Sequence, residues 1–279
     1  MFNPYFLMAL LFAALAALSA LDSTLASLNA SLWFNGLRWL RVHFITLGVW
    51  VEIAFGILPI IATARSGQPR PKTRWDIWLA LNAGLFVLLI GIPLINAILI
   101  TAGGTLVFAS AVMLAAQLRG LTPADRVDSA TAPSGRKFYL AGLVFLLFGV
   151  AFGTGLWLGW GEFLRAASPR EVHIHSNLWG FTSLTFAGLL IDLYPAFAKR
   201  SLAWPRSINA IFWMFAIAGA GLVAGPWLGS LPLIVTSVIL HHAATAWLLL
   251  NVVKPLRRDA RVWTPGMLHL VAGYVWILA

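Results

Sequence analysis

The chain has 279 residues, of which 60% are hydrophobic and 10% are charged, with a formal net charge of +10 and no cysteine. Soluble domains carry about 25% charged residues, so this composition indicates an all-α, polytopic membrane protein. The absence of cysteine excludes disulfides, thiolate metal sites and covalently attached heme. The basic residues lie in short loops and form no face on which nucleic acid could bind.

Nine apolar segments are predicted to be transmembrane helices, because each approaches the ~20 residues needed to cross the hydrocarbon core. They cover residues 5–21, 40–63, 76–94, 97–117, 138–160, 172–195, 208–225, 231–253 and 264–279. We therefore predict a single membrane domain over residues 1–279, a helical bundle of about nine spans. The polar loop 118–137 joins spans one to four to spans five to nine, and the sequence shows no convincing internal repeat.

The basic residues indicate how the chain crosses the membrane. Most of the 19 lysines and arginines follow the even-numbered spans, in the stretches 65–74, 119–137, 199–206 and 254–261. Cytoplasmic loops carry the excess of positive charge, which predicts a cytoplasmic N-terminus and loop 118–137. We expect a multi-pass protein of the inner (cytoplasmic) membrane of a prokaryote. Its expected partners are the lipid bilayer and other membrane subunits or an electron donor.

The fifth span carries glycines at four-residue spacing. Gly149 and Gly153 form one such pair, and Gly155 and Gly159 form another. Small residues four apart allow two helices to approach closely, and this interpretation is favoured. A glycine-lined face would alternatively make room for a flat cofactor.

All six histidines fall in or at the mouth of a predicted span. Ionisable residues at membrane depth are rare and are candidates for function, and neutral imidazole is the commonest protein metal ligand. The second span begins with His43, the sixth begins with His173 and His175, the eighth carries His241 and His242 near its middle, and the ninth carries His269.

The spacing of these histidines predicts where their rings point. Residues two apart on a helix diverge by about 200°, so His173 and His175 must face different neighbours. The adjacent His241 and His242 diverge by about 100°, which suits one metal ligand and one brace. Asn177 follows His173 by one helical turn and is expected to orient that ring by hydrogen bonding.

This set of motifs resembles the catalytic subunit of heme–copper oxidases and nitric oxide reductases. The shared motifs are an H-x-H that opens a helix, an H-H pair within another helix, and a histidine at the outer end of the second helix, although H-x-H here precedes H-H. The resemblance implies that His43 and one of His173 and His175 bind a low-spin heme b. It implies that the other binds a high-spin heme, and that His241 and His242 bind copper.

The resemblance further implies a redox function, either electron transfer or reduction of a small gas. Oxygen-reducing members of the family need a tyrosine near the copper, and no tyrosine lies one turn from His241 or His242. Nitric oxide chemistry, or electron transfer without catalysis, is therefore favoured over oxygen reduction.

Three further polar residues are candidates for supporting roles. Glu52 lies deep in the second span, where an unpaired acid is costly. Either it belongs to a proton path, or it is held by a hydrogen bond to a neighbouring group such as Asn82. His269 is a candidate for the same path. Asp192, near the inner end of the sixth span, is expected to have an interfacial or salt-bridging role, with Lys199 or Arg200 as candidate partners.

Two other interpretations of the histidines stay open. In a metal or proton transporter the imidazoles would line the path, and the protein would hold metal without porphyrin. In a non-catalytic subunit of a larger membrane complex the histidines would be buried for packing alone.

Overall fold

The computed structural model describes residues 3–27, 38–121, 134–257 and 263–275. Within these ranges all regular secondary structure is helical, which confirms the predicted all-α class. Seven helices of the described residues are long and apolar enough to cross a membrane. The third and ninth predicted spans correspond to the shorter helices Trp75–Gly91 and Pro265–Val275.

The helices follow the nine apolar segments in order. They are α1 (Pro4–Ser27), α2 (38–65), α3 (Trp75–Gly91), α4 (Ala97–Arg119), α5 (Arg136–Trp157), α6 (Pro169–Ala198), α7 (Ile208–Leu228), α8 (Leu231–Leu256) and α9 (Pro265–Val275). A short helix, Trp160–Phe163, separates α5 from α6. Residues 122–133 of the predicted loop 118–137 lie outside the described residues.

Two of the helices change their winding part of the way along. Helix α2 is α-helical over Arg38–His43, π-helical over Phe44–Val51, and α-helical again over Glu52–Arg65. Helix α6 repeats this order with Pro169–His175, Ser176–Thr182 and Ser183–Ala198. Because π-helical turns are rare and occur frequently at functional sites, the residues at the two transitions, His43 and His175, are candidates for function.

The packing divides the chain into two compact units. The first comprises Met1–Ile61 and Arg70–Leu114, and the second comprises Ala62–Pro69 and Ala115–Ala279. In the first unit α1 packs along the π-helical part of α2. In the second unit α5 packs along α6, α7 packs against α6 and α8, and α9 packs against the last part of α6.

A short sequence pattern, too sparse to stand out as a repeat in the sequence, occurs once in each unit. The pattern H-x-x-x-x-G-x-x-x-x-x-x-x-G begins at His43 in α2 and at His175 in α6. In both helices the initial α-helical segment ends at this histidine, and the π-helical segment begins at the next residue. His43 and His175 therefore occupy the same place in the pattern and in the winding of their helices.

The first glycine of each pattern is explained by an aromatic ring on the preceding helix. A Cβ atom on Gly48 would collide with Phe12 of α1, and a Cβ atom on Gly180 would collide with Phe145 of α5. The helices that carry these rings are also alike, since residues 5–12 read YFLMALLF and residues 138–145 read FYLAGLVF. Glycine at these two places lets each helix pair approach closely.

The second half of each repeat is a helical hairpin closed by the same turn. The backbone N–H of Asn96 donates to the Gly91 carbonyl oxygen at 2.9 Å, and that of Ser230 donates to the Gly225 carbonyl oxygen at 2.8 Å. The residue before each donor is left-handed, with φ of 50° at Ile95 and 65° at Gly229. This six-to-one bond after a left-handed residue is the Schellman ending of a helix.

Helices α1–α4 and α5–α8 are therefore two copies of one four-helix repeat, and α9 lies outside it. The copies share a glycine under an aromatic ring, a turn whose closing hydrogen bond ends on a glycine carbonyl oxygen, and a histidine at a π-helical transition. Most other positions exchange Leu, Val, Ala and Phe, which pack interchangeably when total volume is kept. For this reason the repeat is hard to see in the sequence alone.

Candidate histidine site

His43 and His175 each lie against the third helix of their own repeat. His43 is half-buried and lines a cavity of about 10 Å³ together with Phe12, Gly48 and Leu88, which is about the space of one water molecule. The counterpart of Leu88, three residues before the glycine of the hairpin turn, is Leu222. Its carbonyl oxygen accepts a hydrogen bond of 2.7 Å from Nδ1 of His175.

The bond between His175 and Leu222 determines which ring nitrogen can bind a metal. A carbonyl oxygen can only accept, so Nδ1 carries the proton and Nε2 carries the lone pair. A histidine that donates Nδ1–H to a backbone carbonyl while offering Nε2 is the usual arrangement of a metal-ligating imidazole. His175 is half-buried, so its ring is held by α7 without being enclosed in the core.

His173 faces the opposite way, as its spacing from His175 predicts. Its Nδ1 lies 2.8 Å from the Gly149 carbonyl oxygen of α5, so this nitrogen is also the protonated one. The Asn177 amide nitrogen lies 3.3 Å from the same Nδ1, but two donors cannot bond to each other. Asn177 instead donates to the His173 carbonyl oxygen at 2.9 Å, so it bonds the backbone of His173 and not its ring.

The glycines of α5 make room for these two side chains. A Cβ atom on Gly149 would collide with Asn177, and one on Gly153 would lie 2.5 Å from the His173 ring. The interpretation as close helix packing is therefore the one the contacts support for this glycine pair. The second pair differs, because Gly155 packs against Trp160 and Gly159 ends the helix with φ of 76°.

His241 is completely buried between α6, α7 and α8. Its Nε2 lies 2.8 Å from the Ser183 hydroxyl, and its ring meets Trp179 and Phe215 edge to face at centroid distances of 4.8 and 5.0 Å. Its Nδ1 is buried without a hydrogen-bond partner. With Nε2 bonded to Ser183 and aromatic rings on two sides, His241 can reach a metal only if its ring moves.

His242 is more accessible than its neighbour. It is half-buried, and its Nδ1 donates to the Val238 carbonyl oxygen one turn earlier at 2.8 Å, which places the lone pair on Nε2. The rings of His241 and His242 are 6.1 Å apart, and Trp179 lies 6.2 Å from His242. The expected division into one ligand and one brace is compatible with this geometry, with His242 as the ligand.

Two residues that the sequence did not single out as site residues connect this cluster. Trp179 and Ser183 follow His175 at successive four-residue steps, so all three lie on one face of α6. Through Trp179 and Ser183 this face contacts His241. The four-residue spacing from His175 was the available signal, but it does not say which helix lies opposite.

The structure places His269 away from these contacts. It is exposed on α9, and its Nδ1 donates to the Pro265 carbonyl oxygen of the same helix at 2.7 Å. Glu52 is completely buried in α2, and His43 shares its unit. The other five histidines belong to the second unit.

The expected partner of Asp192 is wrong. Its carboxylate pairs with Arg65, with 3.2 Å between Nε and Oδ1, and not with Lys199 or Arg200. It also accepts hydrogen bonds from the Gly135 backbone N–H at 2.9 Å and from the Tyr139 hydroxyl at 2.8 Å. Lys199 ends α6 in a left-handed conformation, and this turn carries the chain away from Asp192.

Candidate metal ligands do not cluster in the described part of the chain. In the described ranges no three His, Cys, Asp or Glu side chains come together in a way that could hold a metal ion. Four single imidazoles bond a backbone carbonyl oxygen through Nδ1, namely His173, His175, His242 and His269. No known protein family, curated protein or solved structure matches this chain.

Proposed function

We propose that this chain is an integral membrane redox protein that holds heme b through axial histidines, with His43 and His175 as equivalent ligands. One observation carries the proposal: an imidazole stands at the same π-helical transition in both copies of the repeat. The copies have diverged at most positions, and the other retained residues have a packing reason. Two glycines fit under aromatic rings and the hairpin glycines accept the closing hydrogen bonds of the turns, whereas neither histidine is buried in a core.

The hydrogen bond to Leu222 supports a ligand role for His175. It fixes the tautomer, restrains the rotation of the ring and raises the basicity of Nε2. Heme b would supply the one-electron chemistry, with a potential tuned by the axial imidazoles, the hydrogen bond and the apolar surroundings. The residues of the chain would hold the group, orient it and keep water from it.

The finer parts of the proposal follow the resemblance described above. His173 is the next candidate axial ligand, and His242 is a candidate copper ligand, with His241 joining it after release from Ser183. Nitric oxide reduction or simple electron transfer would then be the activity, with an electron donor or partner subunits in the membrane. The basic loops support nine spans with a cytoplasmic N-terminus, in the inner membrane of a prokaryote.

A visible spectrum of the purified protein after heme-replete expression tests the proposal. We expect b-type bands in the reduced-minus-oxidised difference, and a loss of at least half of the bound heme in His43→Ala and in His175→Ala. His269→Ala is the matched control, because its ring is exposed on the helix outside the repeat. A wild-type spectrum without heme bands would reject the proposal.

The repeat itself favours one second candidate, a transporter. Repeated helical units are a common architecture of secondary transporters. In that case the same histidines would bind a transition metal or relay protons. Elemental analysis that finds copper or zinc in the absence of porphyrin would support it over the heme protein.

A further inference from the structure

A second polar site lies in the first repeat, away from the histidine pattern. Glu52 follows the π-helical segment of α2 and is completely buried. Asn82, on α3, is 3% exposed, and its side chain lies within reach of a hydrogen bond to the Glu52 carboxyl. Both side chains belong to the first unit.

More acceptor atoms than donors meet at this place if the acid is ionised. Both carboxyl oxygens of Glu52 and Oδ1 of Asn82 are buried without a hydrogen-bond partner. The amide nitrogen of Asn82 has two N–H groups, and one of them donates to the Trp78 carbonyl oxygen at 3.0 Å. One N–H group is therefore left for the two oxygens of a carboxylate, and no described donor serves Asn82 Oδ1.

A bound proton resolves this arrangement. A protonated carboxyl has one O–H donor, and Asn82 Oδ1 offers an acceptor beside it. A carboxylate without a counter-ion inside the membrane would be far more costly than a neutral acid that is hydrogen-bonded to Asn82. We infer that Glu52 and Asn82 form a proton-binding site within the membrane-spanning part of the first repeat, in which Glu52 takes up and releases an exchangeable proton.

Within the described part of the chain, few charged groups surround Glu52. Tyr5 on α1 is an ionisable group near Glu52, and Arg74 and Asp76 are near Tyr5. Arg74 is engaged in a two-pronged ion pair with Asp76, at 2.9 and 2.5 Å. The charge of Arg74 is thereby neutralised at the exposed Asp76, so it leaves Glu52 without a counter-ion of its own.

The second repeat shows that the fold does not need this acid. The residue equivalent to Glu52 is Leu184 and the residue equivalent to Asn82 is Ala216. Both counterparts keep the helices in place with an apolar side chain. An acid and an amide that are present together in one copy and absent together in the other are a matched pair, which a packing role alone does not require.

Infrared difference spectroscopy of the intact protein in lipid vesicles tests the inference directly, whether or not heme is bound. We expect a C=O stretch of a protonated carboxylic acid at neutral pH that moves when H₂O is exchanged for D₂O. The band should vanish in Glu52→Gln and move to higher frequency in Asn82→Leu, where the hydrogen bond is lost. The controls Glu162→Gln and Asp192→Asn should leave the band in place.

Several outcomes would overturn the inference. A band that survives in Glu52→Gln belongs to another acid, and a band that never exchanges in the folded protein belongs to a fixed structural acid. A carboxylate signal from Glu52 that depends on added Na⁺ would show that a metal cation, and not a proton, is bound. Because Glu52→Gln leaves the histidines intact, its heme content separates failure of this site from failure of the proposed function.

Discussion

The two repeats keep the same frame and carry different chemistry. In the first, Glu52 and Asn82 are buried where the second has Leu184 and Ala216; in the second, His241 and His242 stand where the first has Val107 and Phe108. The shared packing depends on close approach of helices at glycines, where few other residues fit. The polar side chains lie at positions between these contacts, so each copy could gain or lose them without losing the fold.

The histidine at the π-helical transition is the exception, because it is polar and yet is present in both copies. Its ring lies against the third helix of the repeat through Leu88 in one copy and Leu222 in the other. The comparison therefore separates three classes of residue: those that build the repeat, the histidine common to both copies, and the polar groups particular to one copy. The following predictions test this division.

The largest effect is expected when the acid is moved from one copy to the other. Leu184 is completely buried in the second unit among apolar side chains, so Leu184→Glu should lower the free energy of unfolding by about 3 kcal/mol or more. The double change of Glu52→Leu with Asn82→Ala, which copies the second repeat into the first, should be neutral or stabilising. Thermal unfolding in detergent micelles measures both, and equal destabilisation by the two changes would contradict the equivalence of the positions.

A smaller but symmetrical effect is expected at the glycines under the aromatic rings. Gly48→Ala should push against Phe12 and Gly180→Ala against Phe145, and overpacking of this kind costs about 1–3 kcal/mol. The partner changes Phe12→Leu and Phe145→Leu should each relieve part of the cost in the matching variant only. Gly273→Ala is the control, because a Cβ atom there meets nothing within 4 Å; a similar loss in that variant would argue against the packing explanation.

The ion pair of Asp192 belongs to the second unit alone, since Ile60 occupies the equivalent position of α2. Asp192→Asn weakens the interaction with Arg65 and should cost about 1–3 kcal/mol, less than a fully buried pair because Arg65 is 29% exposed. Tyr139→Phe removes one hydrogen bond and should cost about 1 kcal/mol. The two effects should be non-additive in a double-mutant cycle, and strict additivity would show that the groups act independently.

The smallest effect is expected at Ser183, whose counterpart in the first repeat is Val51. Ser183→Ala leaves Nε2 of the buried His241 without its partner and should destabilise the protein by about 1–2 kcal/mol. If His241 joins His242 at copper, the same variant frees the ring and should leave copper content equal or higher. A loss of bound copper in Ser183→Ala would mean that the serine positions the ligand, contrary to its assignment as a competing partner.

The sequence by itself determined the helices and their order. Apolar runs without charge have to be helical in lipid, because every backbone hydrogen bond must be made within the segment. It also determined that His173 and His175 point to different neighbours, since two steps of a helix turn the side chain by about 200°. The hydrogen bonds of these rings to α5 and α7 agree with that prediction.

Only the tertiary structure decided which helix each of these faces meets. Helical periodicity fixes the face on which a residue lies but not the neighbour across from it, so the sequence could not choose Arg65 as the partner of Asp192 or Ser183 as that of His241. The repeat is hard to recognise in the sequence for the same reason. What it preserves is contact between helices, glycine against Phe12 and Phe145 and the paired hairpin turns, and such contacts become visible only when the helices are packed.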